Sequence, residues 1–341
     1  MSGKRLGIAE ALREGIAEEM RRDPKVFCIG EDIGIPGGWG GAFTVTFGLE
    51  KEFASRLVNT PISEAGLMGV ALGAALMGMR PIADVQYGDF LFCAMDQVAN
   101  QVAKMRYMSG GKADVAMVMR APVGVTGRGA QHAQMMEPFF LPLPGIKILV
   151  PATAYDAKGL LKSAVRDGNP VLIFEHKLLY GSKGPRSESG TVDASSEIPD
   201  GDYTVPIGKG IVRLEGADVT IVATLLMMHR SLEVAALLEK EGISVEVFDP
   251  RSLVPFDWDL LKTSVAKTNR LVIVEESPKR AGLGAEIAAT LAEEMLDSLA
   301  APIVRVAAPV TPAPFSPPME KFYVPSVQRI AGAVRELMRI S

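Results

Sequence analysis

Short apolar segments of strand length alternate with longer segments of helical spacing along most of the chain, and this alternation limits the folds open to it. In the first half of the chain, the strand-length segments are 26–29, 82–86, 115–120, 146–150 and 171–175. The segments between them with helical spacing are 65–78, 90–105 and 155–166. Strands that are apolar on both faces are typical of parallel sheets covered by helices. The sequence therefore predicts an α/β fold with a parallel sheet.

A second region of alternating strands and helices begins after a stretch that is poor in apolar residues. Between residues 181 and 203 the composition turns to Ser, Gly, Glu, Asp and Pro, which is typical of a connecting segment. Because a domain usually contains about 100–200 residues, the 341 residues predict two α/β domains. We place the first domain at 1–190, a linker at 191–205 and the second domain at 206–341.

Composition and charge exclude several classes of protein. The formal net charge is −4 and no long run of Lys and Arg occurs, so we expect no nucleic-acid partner. The two cysteines, Cys28 and Cys93, offer neither a disulfide framework nor a thiolate metal site, which suits a reducing compartment. The longest apolar stretch, 65–79, is shorter than the ~20 residues that cross a bilayer, so we expect a buried helix and no membrane span. The N-terminus leads directly into an amphipathic helix, which predicts a cytoplasmic location.

The common sequence signatures of nucleotide, metal and nucleophile sites are absent. The chain has no Gly-x-x-x-x-Gly-Lys-Ser/Thr loop and no Gly-x-Gly-x-x-Gly after a strand. Its three histidines, His132, His176 and His229, are too far apart in sequence for a metal-ligand spacing. No Gly-x-Ser-x-Gly elbow is present to begin a hydrolase triad. Candidate residues must therefore be sought at loops and helix ends.

Glu64 is the first candidate, because the turn over 59–64 places its carboxylate at the start of the helix predicted over 65–78. Gly69 and Gly73 leave one face of that helix without side chains, so another backbone or a flat ligand can approach closely. One interpretation is an acid in the first helical turn, favoured by the helix dipole. The other is a partly desolvated carboxylate with a raised pKa that holds or delivers a proton. The sequence leaves both interpretations open.

His132, Phe90 and the end of one helix are the remaining candidates. His132 lies in a glycine-rich loop after a predicted strand, where catalytic residues are common, although a lone histidine is more often structural. Phe90 follows the strand 82–86 and is either a core residue or a surface on which a ring stacks. The last carbonyls of the helix 155–166 are either covered by a glycine cap or bind a cation.

Many ordered segments of the chain, taken together, resemble one family. They are Gly-Glu-Asp at 30–32, the turn at 59–64, Arg-Pro-Ile at 80–82, Asp-Gln at 96–97, Arg-Tyr-Met-Ser-Gly-Gly at 106–111, Ala-Gln-His at 130–132, Asp-Ala-Lys-Gly-Leu-Leu at 156–161, Thr-Asn-Arg at 268–270 and Glu-Glu at 275–276. The chain resembles, over essentially its whole length, the beta subunit of thiamine-diphosphate-dependent 2-oxo acid dehydrogenases, the decarboxylating component of the pyruvate, branched-chain and acetoin dehydrogenase complexes. The resemblance implies a pyrimidine-type thiamine-diphosphate-binding domain with a parallel sheet, followed by a transketolase C-terminal-like α/β domain.

The resemblance also implies a role for each candidate. Glu64 matches the glutamate that hydrogen-bonds the aminopyrimidine ring nitrogen of thiamine diphosphate and so activates the cofactor. Phe90 matches a position that packs against this ring, and Glu31 lies in a segment of the same cofactor site. His132 matches a histidine that assists proton transfer or acyl transfer to a lipoyl group. The implied ligands of a structural potassium ion are Met117, Ala164, Val165, Asp167 and Asn169.

Partners follow from the resemblance as well. Thiamine enzymes bind magnesium and diphosphate through Gly-Asp-Gly and a later Asn-Asn, and neither 88–90 nor 201–203 has the second glycine. The diphosphate and its magnesium are therefore expected on an alpha subunit, in an α2β2 heterotetramer that serves a lipoyl acyltransferase core. The small-molecule substrate is left open among pyruvate, acetoin and branched-chain 2-oxo acids. Two other functions also stay open: a subunit of a split transketolase-like carboligase, and a non-catalytic docking subunit of such a complex.

Overall fold

The computed structural model describes residues 3–181 and 192–340 and divides into two compact units. The first unit contains Met1–Val123 and Pro142–Ile207, and the second contains Gly124–Leu141 and Gly208–Ser341. The described part of the predicted linker packs into the first unit. There, Ser196–Ile198 pairs antiparallel with Lys4–Leu6, and the N–H of Val205 donates to the carbonyl of Gly159 at 3.1 Å. Residues 182–191, where we placed the end of the first domain, lie outside the described residues.

The secondary structure of the described residues follows the predicted alternation. Its strands are β1 (Lys4–Leu6), β2 (Val26–Gly30), β3 (Leu57–Asn59), β4 (Arg80–Asp84), β5 (Val118–Val123), β6 (Lys147–Leu149), β7 (Val171–His176), β8 (Ser196–Ile198), β9 (Ile211–Leu214), β10 (Val219–Ala223), β11 (Val245–Asp249), β12 (Ser252–Val254), β13 (Leu271–Pro278) and β14 (Val304–Ala308). Its α-helices are α1 (Ile8–Arg22), α2 (Glu50–Phe53), α3 (Glu64–Leu76), α4 (Met105–Met108), α5 (Glu137–Phe140), α6 (Ala154–Arg166), α7 (Leu225–Glu239), α8 (Trp258–Thr268), α9 (Leu283–Glu294), α10 (Pro317–Tyr323) and α11 (Val327–Met338).

A parallel sheet forms the centre of the first unit, which confirms the predicted fold class. In the order β6, β7, β5, β4, β2, β3, each strand runs parallel to its neighbour. Every residue of β2, β5 and β7 is buried, as expected for strands covered on both faces. The carboxyl ends of parallel strands lie at one edge of the sheet. The segments that carry Glu31, Glu64 and Phe90 all begin at this edge.

Local sequence determines where two helices of the first unit begin. The Ser63 hydroxyl accepts a hydrogen bond from the N–H of Gly66 at 3.3 Å and so caps α3. Thr153 caps α6 in the same way, because its hydroxyl accepts from the N–H of Asp156 at 3.2 Å. Each cap satisfies a backbone donor that has no partner inside the helix, which stabilises a helix by about 0.5–2 kcal/mol. Glu64 therefore becomes the first residue of α3.

A mixed, mostly parallel sheet forms the second unit, in the order β14, β13, β10, β11, β9. The first four strands of this order are parallel, whereas β9 pairs antiparallel with β11 at the edge. Helices α7 and α11 pack against each other. The Ser326 hydroxyl caps α11 by accepting from the N–H of Arg329 at 3.2 Å. The second predicted α/β domain is thus confirmed.

Two predicted helices differ from the structure. The helix predicted over 90–105 is instead a 3-10 helix, Gly88–Ala94, followed by a wide π-helical segment, Gln97–Val102. The helix predicted to be buried is α3, but its residue Val70 is 60% exposed and its C-cap residue Met77 is 85% exposed. Apolar composition alone does not distinguish a buried helix from one with an exposed apolar face. No helix among the described residues is long and apolar enough to cross a membrane.

Candidate functional site

Two carboxylates meet at the carboxyl edge of the first unit's sheet. Glu31 directly follows β2, and Glu64 opens α3 shortly after β3. The N–H of Thr60 donates to the carbonyl of Gly30 at 3.0 Å, which holds the turn before Glu64 against the end of β2. Both glutamates are half-buried. Burial and the negative charge of Glu64 raise the pKa of Glu31, so the two carboxylates interact.

Phe90 lies in an ordered group of aromatic side chains just after β4. It is half-buried in the 3-10 helix Gly88–Ala94, and its ring meets that of Tyr87 edge-on with centroids 5.5 Å apart. Tyr87 contacts the ring of Phe43 at 5.7 Å. The ammonium of Lys177 lies 5.1 Å from the centroid of the Tyr87 ring. These contacts restrict the orientation of the Phe90 ring, which is thus placed at the same edge as Glu31.

A buried ion-pair network at this end of the sheet was missed by sequence analysis. Arg120 on β5 donates to both carboxylate oxygens of Glu175 on β7, at 2.9 and 2.6 Å, and to Asp84 on β4 at 2.6 Å. The Tyr180 hydroxyl donates to Glu175 at 2.5 Å. Burial alone would lower the pKa of Arg120, but the carboxylates of Glu175 and Asp84 raise it well above its usual value. The sequence contained one sign of this network: each of the three apolar strands carries a charged residue near its carboxyl end.

The network also explains why glycine ends β2. A Cβ on Gly30 would lie 2.8 Å from the carbonyl oxygen and 3.0 Å from the Cβ of Asp84, which is paired with Gly30 in the sheet. No side chain fits there without moving the backbone that carries Asp84. Gly30 therefore allows β2 and β4 to approach closely just before Glu31.

His132 lies in the second unit, in a loop whose conformation depends on glycine. The N–H of Gly124 donates to the carbonyl of Gln134 at 3.5 Å, and the N–H of His132 donates to the carbonyl of Gly129 at 3.2 Å. Gly127 and Gly129 have φ values of +73° and +79°, which other residues rarely adopt. His132 is half-buried. The structure thus brings Glu31 and Glu64 together in the first unit and places His132 in the second.

The end of α6 collects the residues that the resemblance assigns to potassium. One nitrogen of Arg80 donates to the carbonyls of Val165, at 2.7 Å, and Asp167, at 3.2 Å. The Asp167 carboxylate accepts from the Lys147 ammonium at 2.5 Å and from both nitrogens of Asn169 at 2.9 Å. A helix C-terminus favours cations, and here two cationic side chains already lie against it.

The two other predicted potassium ligands also contribute carbonyl oxygens. The carbonyl of Ala164 accepts from the N–H of Asp167 at 3.2 Å, and that of Met117 accepts from the N–H of Val171 at 3.0 Å. A carbonyl oxygen has two lone pairs, so each can accept a second partner. Carbonyl and carboxylate oxygens are suitable ligands for a potassium ion, and such an ion would lie at the same helix end as Arg80.

Comparison with known families assigns both parts of the chain. Residues 4–183 match the family described as "Transketolase, pyrimidine binding domain", and residues 208–330 match "Transketolase, C-terminal domain". The chain belongs to the transketolase-like family. Both predicted domain types are confirmed, in the predicted order.

Relatives from this family match the chain along nearly its full length. The acetoin:2,6-dichlorophenolindophenol oxidoreductase subunit beta of Cupriavidus necator is 45% identical over 344 residues, covering 98% of each chain. The 2-oxoisovalerate dehydrogenase subunit beta of Bacillus subtilis is 42% identical, covering 97% of this chain and 98% of the other. The pyruvate dehydrogenase E1 component subunit beta of the same organism is 39% identical, with the same coverage. The predicted relationship to beta subunits of 2-oxo acid and acetoin dehydrogenases is therefore confirmed.

A solved structure of this family shares the fold. A split-gene transketolase, described as an inactive β4 tetramer, matches with a TM-score of 0.79 at 27% identity. The match covers 98% of this chain and 99% of the other. The two α/β units thus correspond to the architecture of a split transketolase chain.

Proposed function

We propose that the chain is the beta subunit of a thiamine-diphosphate-dependent enzyme component that cleaves a 2-oxo acid or acetoin and passes the acyl group to a lipoyl group. The observation that carries the proposal is the pair of interacting carboxylates, Glu31 and Glu64, at the carboxyl edge of a transketolase pyrimidine-binding domain. The relatives support it, because each is named as a beta subunit of an acetoin, pyruvate or branched-chain dehydrogenase.

Glu64, Glu31 and Phe90 would hold the aminopyrimidine ring of the cofactor. Glu64 is half-buried and interacts with Glu31, whose pKa is raised by burial and by the charge of Glu64. The Phe90 ring, restrained by Tyr87, offers a flat apolar surface for such a ring. Bound thiamine diphosphate supplies an electron sink for breaking the bond next to the substrate carbonyl. The part of this chain is to orient the ring and to hold a proton at the Glu64 carboxylate.

His132 would act on the acyl group. A neutral imidazole has one nitrogen that donates a proton and one that accepts a proton, so it can donate a proton to, or remove one from, the sulfur of an incoming lipoyl group. Its position in a loop shaped by Gly127 and Gly129 gives the ring a defined place without burying it fully.

The remaining ions and partners are part of the same proposal. Among the described residues, no three His, Cys, Asp or Glu side chains are grouped to hold a metal ion. The chain also lacks the Gly-Asp-Gly segment with which thiamine enzymes bind magnesium and diphosphate, so both would be bound by an alpha subunit, in an α2β2 heterotetramer with a lipoyl acyltransferase core. We place potassium at the end of α6. Both cysteines are free, which suits a cytoplasmic location.

A split transketolase-like carboligase subunit is the second candidate function. It is favoured by the fold match to the split-gene transketolase, although that protein is less similar in sequence than the dehydrogenase subunits. The two functions differ in the acceptor of the two-carbon or acyl group. A sugar phosphate accepts it in the carboligase, and a lipoyl group accepts it in the dehydrogenase.

Calorimetry tests the proposed function directly. Thiamine diphosphate with magnesium is titrated into the lone chain and into the chain assembled with its alpha subunit, and cleavage of acetoin, pyruvate and 2-oxoisovalerate is measured in parallel. We expect weak cofactor binding by the lone chain, and tight binding together with cleavage by the assembled pair. Tight magnesium-dependent binding by the lone chain would contradict the shared site. Transfer to a sugar phosphate, with none to a lipoyl group, would favour the carboligase.

A further inference from the structure

Two glutamates of the second unit contact the segment Gly124–Leu141, here called the His132 loop, and a third, Glu137, lies within it. Glu276 on β13 accepts a hydrogen bond from the N–H of Val125 at 2.8 Å. Glu320 on α10 accepts one from the N–H of Gly127 at 2.7 Å. Hydrogen bonds to a carboxylate are roughly twice as strong as those between neutral groups. These two hold the part of the loop that precedes His132.

The third glutamate, Glu137, holds the part of the loop that follows His132. It opens the short helix α5, and its residue is only 3% exposed. Glu275 and Glu276 on β13 lie close enough to act on its charge, and both are buried as well. Among the described residues, Oε2 of Glu137 and Oε1 of Glu275 have no hydrogen-bond partner. A buried carboxyl with an unpartnered oxygen is costly to ionise.

Burial, and after it the charges of Glu275 and Glu276, raise the pKa of Glu137 to about 8, against the lowering effect of local hydrogen bonds. Burial raises the pKa of Glu275 too. The other charged or titratable groups that face this cluster are Tyr323 on α10, Arg230 on α7, Arg305 on β14 and Lys279. Folding therefore favours the protonated form of Glu137. Its contribution to stability is complete below the ordinary glutamate pKa of about 4.3 and is lost as pH rises through about 8.

We propose that Glu276, Glu320 and Glu137 are positioning residues that hold the His132 loop for acyl transfer. Ionisation of Glu137 would loosen this loop. Two of these glutamates accept hydrogen bonds from backbone N–H groups before His132, and the third is buried after it and hydrogen-bonds to Ser277. An ionised Glu137 would place a negative charge beside Glu275 and Glu276, which would push α5 away from β13. This inference rests on the proposed function of His132.

Hydrogen exchange tests whether the two hydrogen-bonded glutamates hold the loop. The chain is assembled with its alpha subunit and acyltransferase, and exchange of residues 124–141 is measured for Glu276→Ala and Glu320→Ala. We expect about tenfold faster exchange in both variants, since each loses a charge-assisted hydrogen bond. Glu276→Gln and Glu320→Gln keep an oxygen acceptor and should recover most of the protection. Glu293→Ala, which changes an exposed glutamate of α9, is the control and should match the wild type.

The same variants separate positioning from overall stability. Acyl transfer to the lipoyl group should fall about tenfold in the two alanine variants, whereas decarboxylation with an artificial electron acceptor should fall much less. Wild-type exchange in both variants would overturn the inference. Faster exchange with unchanged acyl transfer would also overturn it, provided that His132→Ala impairs the transfer. If His132→Ala is fully active, the proposed role of His132 fails, and the exchange data alone then decide whether these glutamates hold the loop.

A pH series tests the role of Glu137. After correction for the intrinsic pH dependence of exchange, the wild-type loop should become less protected as pH rises from about 5 to about 8. Glu137→Gln stays neutral and should keep its protection over this range, and its acyl transfer should lack the wild-type decline above pH 8. The same loss of protection in Glu137→Gln and the wild type would overturn the role assigned to ionisation. Glu293→Gln serves as the matched control and should follow the wild-type curve.

Discussion

Glu64 owes its proposed chemistry to its neighbours as much as to its place in the chain. It is the first residue of α3 and is half-buried. Burial, and after it the charge of Glu64, raise the pKa of Glu31, so the two carboxylates interact. The proposed contact of Glu64 with a cofactor ring would therefore be made beside a second carboxylate.

At Glu64, we expect that Glu64→Gln leaves folding and assembly intact but slows activation of the cofactor by about 10²–10⁴-fold. The amide keeps the shape of the side chain but cannot hold an acidic proton. Deuterium exchange of the cofactor's thiazolium proton in the assembled enzyme measures this step. The matched control is Glu286→Gln, which changes an exposed acid in the first turn of α9. A wild-type exchange rate in Glu64→Gln would show that another group performs this role.

At the level of a single element, the C-terminal end of α6 binds two cationic side chains, Arg80 and Lys147. Its carbonyls at Val165 and Asp167 converge on Arg80, and the Asp167 carboxylate is held by Lys147. The cationic side chains complement the helix dipole. The carbonyl oxygens still have lone pairs for an ion without a side chain.

We expect potassium to raise the thermal midpoint of the assembled protein more than sodium does at equal concentration. Binding to the folded state alone stabilises it by mass action, so the difference should grow with the salt concentration. Melting curves in potassium and sodium chloride measure the effect, and Asn169→Ala should reduce it. Asn269→Ala, at the C-cap of α8, is the control: it should lower both midpoints equally and keep their difference. Identical curves in the two salts would mean that no potassium ion binds at this helix end, whose oxygens then interact with Arg80 and Lys147 alone.

For the whole molecule, the feature to explain is the group of apolar side chains on and beside α3 that are exposed to solvent in the single chain. Val70 of α3 is 60% exposed, and Ile62 and Met77, which lie just before and just after the helix, are 84% and 85% exposed. Exposed apolar surface of this kind marks sites of association, and glycines on α3 allow close approach of another backbone. We therefore place a subunit contact of the proposed assembly here.

Val70→Lys tests this contact. The substitution should leave the circular dichroism spectrum and thermal midpoint of the lone chain nearly unchanged, because the side chain is already in water. It should prevent assembly with the alpha subunit, since the contact would have to bury an unpaired ammonium group. Light scattering after size-exclusion chromatography measures the assembled mass. Ala266→Lys, at an exposed position of α8, should assemble normally. Normal assembly of Val70→Lys would place the contact elsewhere.

Local sequence was sufficient to predict the α/β class and most of the alternation of strands and helices, because apolar periodicity and caps such as Ser63 act over a few residues. Motif comparison pointed to Glu64, Phe90 and His132 for the same reason, since each lies in a short recognisable segment. Only the tertiary structure revealed the network around Arg120 and the glutamates around the His132 loop. Their members are distant in sequence and meet only when strands and loops pack. Burial and the charges of neighbouring groups depend on that packing, so the raised pKa of Glu137 and the exposed face of α3 could not be predicted from local sequence.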